Sequence, residues 1–272
     1  MVTNGTLPQV TEAAHRLRAA SATRTPCAPV RDLIGATDVE AAYAVQLELT
    51  QARVAAGARV VGRKIGLTSA AVQDQLGVDR PDFGVLFDDM QVAEGVPVPM
   101  DRLLQPQVEA EIAFVLGADL DGEASRATVR AAVDHAIVAL EIVDSRIEGW
   151  DISFSDTVAD NASSGLFVLG AQLLTLADFE PRSTSVTLNV DGLAASTGTG
   201  AACLGDPLHA LTWLAATARD LGDPLRAGQL VLSGALGPMV PVRPGTQVRA
   251  ELCSSDARPL GSVTAVFPGE QG

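Results

Sequence analysis

The hydrophobic and polar positions of the chain predict a helix in its first third. The segment Thr37-Asp38-Val39-Glu40 has the pattern of a capping box, and Gly57 offers a C-terminal stop. Between them, apolar residues recur at near-helical spacing. These positions are Ala41, Ala44, Val45 and Leu47. The pattern predicts one amphipathic helix of about five turns.

From Arg59 onward the pattern changes to short apolar runs separated by Gly, Pro and Asp, which is typical of strands joined by tight loops. A second helix is predicted to begin at Asp206, with Pro207 in its first position, and to end at Gly222. We therefore expect an α+β fold in which a smaller, mainly helical N-terminal region packs on a larger β-rich domain. The predicted strands are 60–65, 108–116, 137–143, 166–169, 185–190, 229–232 and 248–252.

Composition narrows the functional classes. The 272 residues are 47% hydrophobic, so the chain can bury a substantial core. A formal net charge of -14 and an aromatic content of 4% argue against nucleic acid, which is bound through clustered Lys and Arg and through stacking rings. The N-terminus lacks a basic start and a continuous apolar core, and no later stretch is apolar enough to cross a bilayer. We expect a cytoplasmic protein without nucleic-acid or membrane partners.

The segment Gln107–Phe114 carries the most informative chemistry. Successive strand side chains alternate faces, so Glu109 and Glu111 point the same way, while Val108, Ala110 and Ile112 face a core. A third acid, Glu141, interrupts the apolar run 136–143. Buried carboxylates need a compensating positive charge, and three oxygen ligands match Mg²⁺ or Mn²⁺ better than Zn²⁺. Solvated strand-face charges or structural ion pairs explain the same pattern equally well.

Three further positions are candidates for chemistry. Lys64 lies in a glycine-flanked apolar strand, where its amine could polarise a carbonyl or move a proton; a surface lysine is the alternative. Asp82 is a turn acid that could orient this lysine or shuttle protons, or it is an ordinary turn residue. The stretch 160–165, which contains Ser163, suits holding a carboxylate or a water and also suits an Asx turn.

Several familiar sites are excluded by their own patterns. Gly198-Thr199-Gly200 is followed by Cys203 where a dinucleotide-binding fingerprint requires Gly or Ala. No G-x-S-x-G elbow and no G-x-x-x-x-G-K-[ST] loop occurs in the chain. Three widely spaced cysteines and three scattered histidines fit neither a disulfide framework nor a zinc site. A nucleophile-based or zinc-based enzyme is therefore not expected.

Read together, these segments resemble the 2-keto-4-pentenoate (2-hydroxypentadienoate) hydratases of the wider fumarylacetoacetate hydrolase superfamily. The resemblance extends over nearly the whole chain, because the matching blocks occur in order. They are VRDLIG, GRKIGLTS, LGVDRPDFGVLFDDM, LQPQVEAEIAFVL, ALEIVDSRI, DTVADNASSG, CLGDPLHALTWLA and LRAGQLVLSGALGPMVPV.

The resemblance implies a mixed β-roll as the larger domain, at 76–272, preceded by a smaller N-terminal α/β region at 1–75. It implies that Glu109, Glu111 and Glu141 hold Mg²⁺ or Mn²⁺. Lys64 and Asp82 match the acid/base positions, and Ser163 matches the substrate-side hydroxyl. A homo-oligomer built from dimers is also implied, with a downstream aldolase or a related decarboxylase as candidate partners.

The implied activity is hydration of 2-hydroxypenta-2,4-dienoate to 4-hydroxy-2-oxopentanoate in aromatic-compound catabolism. Asp144 in ALEIVDSRI looks more like the related decarboxylases and dienoate hydratases, whereas the GALGPMV block looks like the pentenoate hydratases. A 4-oxalocrotonate-type decarboxylase and a longer-chain 2-hydroxydienoate hydratase therefore stay as alternatives. A metal-binding partner subunit without activity is the non-enzymatic alternative.

Overall fold

The α-helices of the protein divide between two apolar clusters. The structure is a computed structural model that describes residues 7–69, 73 and 80–269. Within these residues the α-helices are α1 (Leu7–Thr23), α2 (Arg31–Ile34), α3 (Val39–Ala55), α4 (Arg126–Ala132), α5 (Phe154–Ala159) and α6 (Pro207–Asp220). Residues of α1, α2, α3 and α5 share one apolar cluster that includes Leu17, Val45 and Val158. The helix α5, from the middle of the chain, thus packs with the three N-terminal helices.

Two β-sheets form the larger part of the molecule. Strands β1 to β12 are Val60–Gly66, Asp82–Phe87, Gln91–Val92, Gln107–Leu116, Val133–Val143, Ser164–Leu169, Ser185–Val190, Leu193–Thr199, Leu230–Leu232, Val240–Pro241, Gln247–Cys253 and Pro259–Val266. The first sheet has the order β2-β1-β9-β4-β5-β6-β3, with β10 paired to β4, and it is mixed because β1 and β9 are parallel. The second sheet, β12-β11-β7-β8, contacts β5 through β11 and β12.

The main core lies around these sheets and continues under α4 and α6. Side chains from both sheets and both helices share this cluster; Ile112 and Leu140 on the first sheet, Val263 on the second and Leu211 on α6 are all fully buried. The opposite faces of β4 and β5 are thereby available for polar chemistry, because successive strand residues alternate between the two faces.

The predicted α+β architecture, with a helical N-terminal region packed beside a larger β-rich part, is confirmed. The first predicted helix corresponds to α3, although its capping side chain is Asp38, which accepts from the Ala41 N–H, and Gly57 adopts the positive φ of a helix stop. Asp206 caps α6 as expected. Five observed strands were not among the predicted ones: Asp82–Phe87, Gln91–Val92, Leu193–Thr199, Val240–Pro241 and Pro259–Val266. The predicted boundary between residues 75 and 76 lies outside the described residues, so it stays a prediction.

In the described ranges, no helix combines the length and the apolar character that a membrane crossing requires.

Candidate functional site

Three glutamates meet on one face of the first sheet. In the antiparallel pair β4 and β5, Glu109 lies directly opposite Glu141, and Glu111 lies one alternation further along β4, opposite Ala139. Directly paired strand residues project from the same face. All three carboxylates are buried, with side chains at most 6% exposed. One ligand oxygen from each lies within 4.8 Å of the others.

Three of the six carboxylate oxygens have no hydrogen bond within the described part of the chain. Glu111 accepts the Gly234 N–H through Oε2 at 2.7 Å. Its Oε1 and both oxygens of Glu141 are buried without a hydrogen bond from the described residues. Buried polar atoms are normally satisfied, so these oxygens fit the role of ligands for a cation. The donor set of hard carboxylate oxygens fits a divalent ion such as Mg²⁺ or Mn²⁺.

Gly234 has a specific structural reason to be glycine. The segment after β9 runs beside β4, where the Ser233 and Leu236 N–H groups donate to backbone oxygens of β4. At Gly234 the backbone has φ +105, and a Cβ would lie 2.4 Å from the Thr68 side chain. Only glycine accommodates both conditions. This conformation turns the Gly234 N–H toward Glu111, and the sequence analysis missed this role.

Lys64 lies on β1 with its side chain only 3% exposed. Its backbone neighbours are Gly84 on β2 and Leu232 on β9, so the neighbouring strands fix its position from both sides. Its Nζ donates to the Ala162 carbonyl at 2.9 Å and lies 3.2 Å from Glu141 Oε1. The interpretation of Lys64 as a surface lysine is therefore wrong, because its ammonium is buried beside the three glutamates.

Asp82 begins β2 and is joined to Ser163 through a threonine. Thr157 Oγ1 donates to Asp82 Oδ2 at 3.4 Å and lies 3.3 Å from Ser163 Oγ. The other oxygen of Asp82 is buried without a described partner. Gly66 makes room for this acid, since a Cβ there would lie 2.2 Å from Asp82 Oδ1. Asp82, Thr157 and Ser163 thus form a hydrogen-bonded row next to Lys64.

A left-handed turn holds Ser163 and the Ala162 carbonyl in place. Asn161, Ala162 and Ser163 all have φ between +52 and +55, which is costly for residues with a Cβ. The turn is held by its surroundings: the Asn161 side chain accepts from the Val85 N–H at 2.7 Å and donates to the Val85 carbonyl at 2.9 Å. Strain that is fixed by several contacts is typical of functional sites.

The electrostatics of the cluster favour a positive ligand. Burial, followed by repulsion from Glu141, raises the pKa of Glu109 to about 7. Burial and the other two glutamates raise the pKa of Glu111 well above its ordinary value. Burial raises the pKa of Asp82 to about 6, even though Lys64 opposes this shift. Four carboxylates therefore face one buried ammonium in the described structure, and a divalent cation would relieve their repulsion.

The same ammonium is stabilised by its surroundings. Burial by itself lowers the pKa of Lys64, but attraction to Glu141, Asp82, Glu109 and Glu111 outweighs burial and raises the pKa above its ordinary value. Lys64 is consequently a cation that can donate a proton or attract negative charge on a substrate. It is not a neutral amine in this arrangement.

The cluster opens into a cavity of about 470 Å³. Lys64, Asp82, Glu109, Thr157 and Ser163 all contribute to its lining. The remaining wall is largely apolar and includes Ile65, Leu67, Val143, Trp150, Ile152 and Met239. A small ligand with a polar head and an apolar tail fits such a cavity.

All six predicted site residues are brought together in the structure. The sequence analysis missed Thr157, Gly234, the Ala162 carbonyl and Trp150. Thr157 belongs to the DTVADNASSG block and Gly234 to the GALGPMV block, but nothing in these patterns marks them individually. The functional roles of the six residues stay predictions, whereas their proximity is a property of the fold.

The comparisons with known proteins identify the family. The family model described as "Fumarylacetoacetate (FAA) hydrolase C-terminal" matches residues 53–267. The chain therefore belongs to this family. Within it, the chain is similar over nearly its full length to named hydratases. The "TodF product hydratase" of Pseudomonas putida is 53% identical over 259 residues, which is 95% of each chain. The 2-keto-4-pentenoate hydratase of Paraburkholderia xenovorans is 51% identical over 261 residues, covering 96% of this chain and 95% of that protein.

A solved structure shares the whole fold. The 4-oxalocrotonate decarboxylase of Pseudomonas putida G7, complexed with magnesium and adipate, superposes with a TM-score of 0.89. It is 34% identical and covers 96% of this chain and 97% of its own. The family resemblance predicted from the sequence blocks is thus confirmed.

Proposed function

We propose that this chain is a divalent-metal-dependent hydro-lyase that adds water to 2-hydroxypenta-2,4-dienoate to give 4-hydroxy-2-oxopentanoate. The observation that carries the proposal is the buried group of three glutamates with orphaned oxygens, next to Lys64 and facing a cavity with an apolar wall. The similarity to named 2-keto-4-pentenoate hydratases supports the same reaction.

Glu109, Glu111 and Glu141 would hold the metal ion. When bound, a divalent cation supplies Lewis-acid stabilisation of negative charge that develops on the substrate's C2 oxygen. Glu109 itself lines the cavity, so a substrate in the cavity would lie beside the metal ion that the three glutamates hold. Mg²⁺ or Mn²⁺ are the ions that this donor set suits.

The protein side chains move the protons. A proton is delivered to C5 of the dienol while the C2 hydroxyl loses its proton, which gives 2-oxopent-3-enoate. Water then adds with its oxygen at C4 and a proton at C3, so that one water is consumed in total. Lys64 is suited to stabilise charge and donate a proton at one end of this sequence. Asp82, linked through Thr157 to Ser163, is suited to accept a proton from the attacking water.

The test is an ultraviolet assay with freshly generated 2-hydroxypenta-2,4-dienoate, with Mg²⁺ added to metal-stripped protein. We expect loss of the dienol absorbance and formation of 4-hydroxy-2-oxopentanoate. The Glu109→Ala/Glu111→Ala double variant should lose the metal-dependent rate. Full turnover in the presence of a chelator would contradict the proposal.

A related decarboxylation is the second candidate, because the 4-oxalocrotonate decarboxylase shares the fold over nearly the whole chain. Its substrate would carry a second carboxylate and would release CO₂. Assaying this dicarboxylate beside the monocarboxylate separates the two reactions. A protein inactive on both substrates would favour a metal-binding partner subunit.

We also propose that the chain forms a homo-oligomer built from dimers. The exposed apolar residues Leu47 and Val54 support this, because they lie two turns apart on the same face of α3 and are 55% and 49% exposed. A downstream aldolase and a related decarboxylase are proposed as partners from the family resemblance alone, and the cytoplasm is the proposed location.

A further inference from the structure

Trp150 occupies an unusual position at the wall of the active-site cavity. It follows Gly149, and both residues have positive φ, +58 for Trp150 and +64 for Gly149. A tryptophan rarely adopts this backbone conformation, which is costly for any residue with a Cβ. Trp150 nevertheless lines the cavity that contains Lys64 and Glu109.

The loop that carries Trp150 is fixed by Gln105. The Gln105 side chain donates to the carbonyls of Ser145 and Ile147 at 3.0 and 2.8 Å, and it accepts the Gly149 N–H at 2.7 Å. The Trp150 indole Nε1 donates to the Gln105 backbone carbonyl at 3.1 Å. Four hydrogen bonds to one residue therefore hold both the loop and the orientation of the ring.

Asp144 in turn fixes Gln105. This acid is 1% exposed, and its carboxylate accepts the N–H groups of Leu104 and Gln105, at 3.0 and 2.6 Å respectively. Asp144 was singled out in the sequence because it differs from some pentenoate hydratases. In the structure it lies behind the loop and acts on the cavity through Gln105, so it is a positioning residue.

The position of Trp150 relative to the glutamates gives it a role. Glu109 and Val143 both line the cavity, and the strand partner of Val143 is Gln107, two positions before Glu109. The indole of Trp150 is hydrogen-bonded to Gln105, two positions further from Glu111 along the chain. The Cα atoms of Glu109 and Gln105 are at most about 14 Å apart, because the two residues are four positions apart in the chain. A short acid held by its head at the glutamates would therefore extend toward the indole.

The chemistry of the indole then decides which substrates bind, because the end of the substrate remote from its acid head lies against this ring. Tryptophan has a single hydrogen-bond donor and no acceptor, and this donor is already used by the Gln105 carbonyl. The ring offers only carbon to a ligand. A carboxylate placed against it would lose hydration without gaining a partner, whereas a methyl group would be buried favourably.

The described residues that line the cavity offer no second cation. Among the described residues that line it, Lys64 is the one Lys or Arg, and it faces the glutamates.

We propose that Trp150, held by Gln105 and Asp144, is the specificity-determining residue that restricts this enzyme to 2-oxo and 2-hydroxydienoic acids with one carboxylate and a short uncharged tail. This inference rests on the proposed function for the location of the acid head. It goes further because it assigns the discrimination against dicarboxylates to the Trp150 side chain and to the two residues that hold it, Gln105 and Asp144.

The test uses two unreactive five-carbon acids, 2-oxopentanoate and 2-oxoglutarate, which differ only in ending in a methyl group or a carboxylate. Their dissociation constants are measured by calorimetry with saturating Mg²⁺. We expect the wild type to bind 2-oxopentanoate at least tenfold more tightly than 2-oxoglutarate. Trp150→Phe should keep this preference. Trp150→Ala should reduce it to within about threefold, since water can then reach the terminal carboxylate.

Trp213→Phe provides the matched control. The chain has two tryptophans, so this variant leaves Trp150 as the only indole. Its preference for the monocarboxylate should equal that of the wild type, and 2-oxopentanoate should change the Trp150 fluorescence. Gln105→Met keeps the ring but removes the side-chain supports of the loop, so its preference should lie between those of the wild type and Trp150→Ala. If Trp150→Ala does not fold, Gln105→Met and Trp150→Phe still test the inference.

Equal binding of the two acids by the wild type would overturn the inference, as would an unchanged preference in folded Trp150→Ala and Gln105→Met. These outcomes are separate from failure of the proposed function. A protein that shows the preference but does not turn over 2-hydroxypenta-2,4-dienoate refutes only the hydratase activity. A protein that is an active hydratase while Trp150→Ala retains the full preference refutes only the role of Trp150.

Discussion

The raised pKa of Glu109 makes a direct prediction about stability and pH. In the metal-free protein, burial and repulsion from Glu141 raise this pKa from 4.5 to about 7. The folded state therefore retains a proton that the unfolded state releases, so folding becomes less favourable as pH rises from 4.5 to 7. At about 1.4 kcal/mol per pKa unit, the full loss above pH 7 is about 3 kcal/mol.

Between pH 5.5 and pH 8 the metal-free wild type should lose about 2 kcal/mol of stability from Glu109. For a chain of this length, this corresponds to a fall in Tm of roughly 4–8 °C. Glu109→Gln cannot ionise, so its metal-free Tm should fall less over the same range. Glu251→Gln, a similar substitution at an exposed position of β11, should behave like the wild type.

Adding Mg²⁺ should reverse the effect in the wild type. Protons compete with the metal for the carboxylates, so the rise in Tm caused by Mg²⁺ should be larger at pH 8 than at pH 5.5. At a Mg²⁺ concentration one hundred times the dissociation constant, the stabilisation is about 2.7 kcal/mol. Glu109→Gln should lose most of this increment. A metal-free Tm that is equal at both pH values in wild type and variant, together with no response to Mg²⁺, would refute the reasoning.

Further predictions concern the other site residues and the assembly. Lys64→Met should fold and bind Mg²⁺, but kcat should fall by about 10²–10⁴-fold; a change within twofold, measured in the ultraviolet assay, would make Lys64 a bystander. Asn161→Ala removes both hydrogen bonds to Val85 and should lower the free energy of unfolding by about 2 kcal/mol in urea titrations, because two buried backbone groups lose their partner. Light scattering at micromolar concentration should give a multiple of the subunit mass, and a monomer would contradict the proposed oligomer.

The sequence predicts the strand faces of the site better than it predicts how the strands meet. Alternation on β4 is enough to place Glu109 and Glu111 on one face. The pairing of Glu109 with Glu141 depends on the register between β4 and β5, which local patterns do not contain. The family resemblance supplied this grouping of residues, and the structure explains it.

The missed features depend on backbone conformation and on distant contacts. A left-handed turn is usually predicted from glycine, yet Asn161, Ala162 and Ser163 adopt it because the Asn161 side chain is tied to β2. The strand at Asp82–Phe87 begins at a residue that the sequence indicates as a turn acid. Trp150 carries no local signal at all, because its orientation depends on Gln105, some 45 positions earlier in the chain.

The register of β4 and β5 also has a consequence for how the chain avoids misfolding. A shift of one residue would turn a strand's entire set of side chains to the opposite face. On β5, such a shift would move Glu141 into the apolar cluster where Leu140 and Ile142 are fully buried. An ion in that cluster is far more costly than a poorly packed methyl group. The acids that would serve the reaction therefore also penalise incorrect strand pairing, so a chain that has folded to a low-energy sheet has already brought its three glutamates together.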